Sequence, residues 1–158
     1  MKRRHARRGQ SLIEFAFVLP VLLLILFAFM QLLLVLGADG ALATVANAAA
    51  HQAALAGGET AAVDAEIVSL AQQNRLDPSL VRVQVVTDGG AGTWHAADGH
   101  DLAGGSNPYP PLASYNGTVT VHLSYAYPRT LPFVPALSWT LVADASENSQ
   151  SALEGVSP

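Results

Sequence analysis

Cysteine is absent from this chain of 158 residues, so no disulfide can close a loop and no thiolate can serve as nucleophile or ligand. Basic residues are scarce beyond the N-terminus. After Leu36 only Arg75, Arg82 and Arg129 remain, against eleven acids. That imbalance excludes a nucleic-acid surface, which needs clustered positive charge. There is no glycine-rich phosphate loop, no nucleophile elbow and no paired zinc-ligand motif, and no serine has a matching histidine and aspartate arrangement. The expectation is a protein that is not an enzyme and carries no cofactor. Charge of either sign is also missing from Phe15 to Ala38, 24 positions in a row.

That uncharged run is the dominant feature of the sequence. As a helix it extends about 36 Å, against about 30 Å for the hydrocarbon core of a bilayer. It exceeds the apolar core of a secretory signal, typically about 7–15 residues. Lys2, Arg3, Arg4, Arg7 and Arg8 precede it and predict that this end stays in the cytoplasm while the rest is exported. The chain therefore divides into a basic leader at 1–9, a transmembrane helix at 10–36, an exported domain at 37–145 and a flexible tail at 146–158. Pro20 lies within the helix and predicts a kink, because its ring removes a backbone hydrogen bond and crowds the carbonyl four residues earlier.

Glu14 is the acid at the start of the apolar helix. A carboxylate in a spanning segment costs about 2.5–3.5 kcal/mol at the centre and less near the interface. It can reach back to the headgroups beside the arginines. It also lies five residues after Gly9, and cutting after Gly9 would create a new α-amino group on Gln10. The ammonium of a neighbouring copy would then neutralise Glu14.

The arrangement of basic leader, Gly9, Glu14 and long apolar helix resembles the processing site of the type IV pilin superfamily. The fuller string Arg-Arg-Gly-Gln-Ser-Leu-Ile-Glu-Phe-Ala-Phe-Val-Leu-Pro, from Arg7 to Pro20, resembles more narrowly the TadE-like minor pseudopilins of Tad (tight adherence, Flp-type) pilus machines. The resemblance implies cleavage after Gly9 by a prepilin peptidase, with Glu14 and the Gln10 terminus engaged in processing and assembly. It implies a bacterial inner-membrane location and, as partners, other pilins or pseudopilins and the Tad inner-membrane platform. Gln10 departs from the Phe that usually opens mature major pilins. Two other readings stay open: a scaffold of the apparatus that is anchored and never cut, and a secreted binding domain or enzyme with a conventional signal cut near Ala46-Asn47-Ala48.

Beyond the anchor, Gly37, Asp39 and Gly40 predict a hinge or water-facing break. Ala41 to Ala56 reads as an alanine helix with Leu42, Val45, Ala49 and Ala53 on one stripe and Ala46, Ala50 and Ala54 as a small-residue ridge. The ridge suits packing within the chain or against another stem. Gly57-Gly58 ends this helix and Thr60 caps the next, an amphipathic helix to Asn74 with Val63, Ile67, Leu70 and Ala71 inward and Asp64 elsewhere. Alternation predicts a strand over Leu80–Thr87, a second over Thr118–Tyr127 and a last one over Ser138–Ala145 beyond a proline-rich crossover at 131–135. The fold class is α+β: a long stem helix, a second helix and a small antiparallel sheet of about three strands. The C-terminal strands also resemble TadE-like proteins in pattern. Between them, residues 88–115 form a glycine- and proline-rich loop holding Trp94, His95, Asp98, His100 and Asp101. Their spacing fits no standard ligand pattern, so the expectation is no metal, and a loop that covers a sheet edge or meets a partner. His122, on the polar face of its strand, reads as solvated.

Overall fold

The computed structural model describes residues 6–102, 107–128 and 139–150, with side chains from Ile13 onward. The chain forms two compact units, residues 1–37 and 38–158. Helix α1, Ala6–Ala56, belongs to both. It begins inside the basic leader. It also stays helical through Gly37, Asp39 and Gly40, where a break was expected. A glycine costs only about 1 kcal/mol in a helix interior, and the leucine-rich and alanine-rich flanks propagate helix strongly enough to absorb that.

In the first unit α1 shows an apolar surface interrupted, between Ile13 and Leu36, only by Glu14 and Gln31. Large side chains from Ile13 to Leu36 are exposed, Phe17 by 75%. The helix is long and apolar enough to cross a membrane. Pro20 sits inside it. A patch of this extent needs lipid or partner chains to cover it.

The second unit is the α+β part. Leu42, Val45, Ala46, Ala49, Ala50, Ala53 and Ala54 of α1 are all buried, so stripe and ridge alike are used within the chain. Gly57, at φ 80°, ends α1 in the left-handed region that favours glycine, and the Gly58 amide donates back to the Ala53 carbonyl at 2.8 Å. Helix α2, Ala61–Gln73, follows with Thr60 as its cap, the hydroxyl accepting from the Val63 amide. Its buried residues are Val63, Asp64, Ile67 and Ala71.

A single 3-10 turn, Pro78–Leu80, leads into β1, Val81–Thr87. The long strands β4, Thr118–Tyr127, and β5, Trp139–Asn148, pair antiparallel with each other, and β4 pairs with β1. Val81, Val83, Val85, Val119, Val121, Leu123 and Tyr125 point inward as alternation requires. The sheet has five strands rather than about three, since the 88–115 loop adds β2, Gly90–Ala91, and β3, His95–Ala96, to the outer edge of β1. Between these two short pairings the Gly92 amide donates to the Val85 carbonyl at 2.8 Å. The loop thus satisfies an edge that would otherwise be open.

At the other end, β5 continues three residues past its expected limit of Ala145. Ser146, Glu147 and Asn148 pair with Thr120, Val119 and Thr118. The Ser149 amide then donates to Gly117 and the Gln150 amide to Ala54. The start of the expected flexible tail is therefore fixed by backbone pairing, because β4 offers a ladder as far as Thr118. The proline crossover at 131–135, Lys2, Arg3, Arg4 and the tail from 151 lie outside the described residues.

Candidate functional site

Two regions hold the functional candidates. In the first, Gly9 and Gln10 lie on α1. Glu14 follows on the same helix, exposed. Arg7 and Arg8 also fall on the helix, with side chains outside the description.

The second region is interior and was not assembled by reading the sequence. Glu59 follows the Gly57-Gly58 turn and is only 2% exposed. Asp64, one turn into α2, lies on the stripe shared with Ile67 and Ala71 and is buried with them. This corrects the expectation that Asp64 faces away from the core. His95, from β3, completes the group and is 1% exposed. Its Nε2 lies 3.4 Å from Asp64 Oδ2 and 3.5 Å from Glu59 Oε1. Its Nδ1 is 3.0 Å from the Thr93 carbonyl oxygen. That oxygen can only accept, so Nδ1 carries a proton and Nε2 is the atom left to answer the carboxylates.

Tyr109 closes the group from the far end of the loop, its hydroxyl donating to Asp64 Oδ2 at 3.1 Å and its ring edge-on to His95. Both Glu59 oxygens and Asp64 Oδ1 are buried without a hydrogen-bond partner. Burial first, and the adjacent Asp64 charge second, push the Glu59 carboxyl up to about 9. The same two causes raise the Tyr109 phenol to about 12. Asp64 and Tyr109 also line a surface cleft of about 430 Å³.

The remaining loop residues stay outside. Asp98 pairs with His100, and Asp101 accepts from the Ala96 amide at 2.7 Å while meeting Arg82 at 3.4 Å. They hold the loop's shape rather than converge. His122 pairs with Asp144 across β4 and β5 at 2.6 Å, a half-exposed surface pair. The residues that sequence reading missed entirely are Glu59 and Tyr109. For Asp64 a signal existed, since it precedes Ile67 by three residues and Ala71 by seven, the spacing of one helix face.

Residues 9–51 match the family model for TadE-like protein. The match starts at Gly9 and stops within α1, short of the buried cluster. No curated protein and no solved structure matches the chain.

Proposed function

We propose that this chain, which matches the TadE-like family model over residues 9–51 and has in α1 a helix long and apolar enough to cross a membrane, is a minor pseudopilin that primes or caps a Tad-type pilus. It inserts in the bacterial inner membrane with the leader in the cytoplasm and the α+β unit exported. A prepilin peptidase cuts between Gly9 and Gln10. The role is structural, not enzymatic: the apolar helices pack laterally against other pilins or pseudopilins on the Tad inner-membrane platform.

Glu14 supplies the register. Its carboxylate pairs with the freed α-amine of Gln10 on a neighbouring copy at the same depth. A desolvated pair of this kind gives specificity of alignment more than net stability. The observation that carries the reading is the family match beginning at Gly9 on a helix whose large apolar side chains are exposed from Ile13 to Leu36. The deciding experiment is N-terminal sequencing of the protein extracted from membranes of its host. A mature terminus at Gln10 is expected. A terminus at Met1 in cells that possess the peptidase, or one near Ala49, would overturn the proposal. Glu14→Ala is expected to insert normally and to impair assembly, so wild-type piliation in that strain counts against the pairing.

A further inference from the structure

We propose that Glu59, Asp64 and His95 bind one divalent cation of the zinc class, which ties the α1–α2 turn, helix α2 and the edge loop of the α+β unit to one another. The ligand atoms of the three residues all lie within 4.8 Å of one another. Bonds of about 2.0–2.1 Å in a tetrahedral site place neighbouring ligand atoms about 3.3–3.4 Å apart. His95 Nε2 stands 3.4 and 3.5 Å from its two carboxylate oxygens.

The chemistry of the histidine points the same way. With Nδ1–H donating to the Thr93 carbonyl, a neutral imidazole turns the Nε2 lone pair toward two acids. Lone pair against carboxylate is repulsive, so something positive belongs between them: a proton, held on Nε2 or on the Glu59 carboxyl, or a metal. A single proton, wherever it sits, joins one pair of these atoms and leaves at least one of the three orphaned oxygens without a partner. A divalent cation serves all three ligands, and with two carboxylates and a neutral imidazole its charge is balanced within the site. Among the described residues no Lys or Arg forms an ion pair with either acid.

The supporting contacts are those of a metal site. A ligating histidine ordinarily donates its other ring N–H to a carbonyl or carboxylate, as His95 does to Thr93. Tyr109 orients Asp64 by its hydroxyl. Three protein ligands leave a fourth position for water, and Asp64 and Tyr109 also line the surface cleft. An imidazole ligand favours zinc-like ions over calcium and magnesium, which take oxygen. In a chain without cysteine, such an ion supplies the cross-link that a disulfide cannot.

The test uses the full-length chain in detergent micelles, stripped with chelator and loaded with Co²⁺ as the spectroscopic probe. The expected result is uptake of one Co²⁺ per chain with the intense visible absorption of a four-coordinate ion, displaced stoichiometrically by Zn²⁺. His95→Gln should abolish it and His122→Gln should leave it intact. Tyr109→Phe should weaken affinity roughly 10- to 100-fold while the chain stays folded. Failure of the folded wild-type chain to take up Co²⁺ or Zn²⁺ stoichiometrically would overturn the proposal and leave the cluster to protons. So would binding that survives His95→Gln or disappears in His122→Gln. If His95→Gln fails to fold, the wild-type spectrum and Tyr109→Phe decide. None of these outcomes depends on cleavage at Gly9 or on pilus assembly.

Discussion

Glu59→Gln separates a buried carboxylate that awaits a metal from one that is already satisfied. The side chain has no exposed surface, and neither oxygen has a hydrogen-bond partner. Glutamine keeps the shape, spares the fold the cost of protonating a carboxyl that burial raises to about 9, and offers Asp64 a donor. Leaving a buried polar group unsatisfied costs about 1–3 kcal/mol, so without metal the variant should be more stable by about that amount. For a unit of about 120 residues, with roughly 3–5 °C per kcal/mol, the melting temperature should rise about 3–15 °C.

Zinc acts on the wild type alone. A ligand present at 100 times its Kd stabilises the wild-type fold by about 2.7 kcal/mol, and a neutral carboxamide in place of the Glu59 carboxylate cannot serve as an anionic ligand. The wild-type increment of about 8–14 °C should therefore vanish in the variant. Near-UV circular dichroism is the suitable readout. Trp94, Tyr109 and Trp139 belong to the second unit, whereas the far-UV signal would be dominated by α1. A variant less stable than wild type in chelator would refute the reasoning, because it would mean that the Glu59 charge is already compensated inside the fold.

Other expectations test the parts around this cluster. A Cβ on Gly92 would stand 2.6 Å from the Pro108 carbonyl oxygen and 3.0 Å from Pro110 Cδ. Gly92→Ala should thus displace the edge loop, cost about 1–3 kcal/mol and speed proteolysis within residues 88–115; unchanged melting and cleavage would count against the clash. Ala50 is fully buried, so Ala50→Leu should overpack the core by about 1–3 kcal/mol in chemical denaturation, whereas Leu55→Ala, at a half-exposed site, should cost under about 1 kcal/mol. Asp88 is held below its ordinary value of 3.8 by hydrogen bonds from the Ser114 hydroxyl and amide. Because the folded value is the lower one, its contribution is present above 3.8 and lost as pH falls through the folded value. Amide exchange at Ser114 should accelerate with a midpoint below 3.8, and a midpoint at or above 3.8 would contradict the assignment.

The linear pattern was sufficient wherever a single element explains itself. The apolar run, the Gly57-Gly58 stop, the Thr60 cap and the alternation in β1 and β4 are local or periodic features, and the chain obeys them. The resemblance read from Arg7 to Pro20 agrees with the family-model match over residues 9–51, because those residues follow one another along a single helix. Where the local signal was weak, neighbours overruled it: the helix passed through Gly37 and Gly40, and β5 followed β4 to Asn148.

The cluster belongs to the other kind of information. Glu59, Asp64 and His95 are spread over 37 positions, and no repeat or spacing links them. They meet because the edge loop pairs with β1 through His95 and Ala96, which turns the His95 ring toward the start of α2. Periodicity states which face of one element is buried. Which buried side chains share a site depends on how the loop and helices are brought together, and that depends on long-range packing and backbone pairing across the fold.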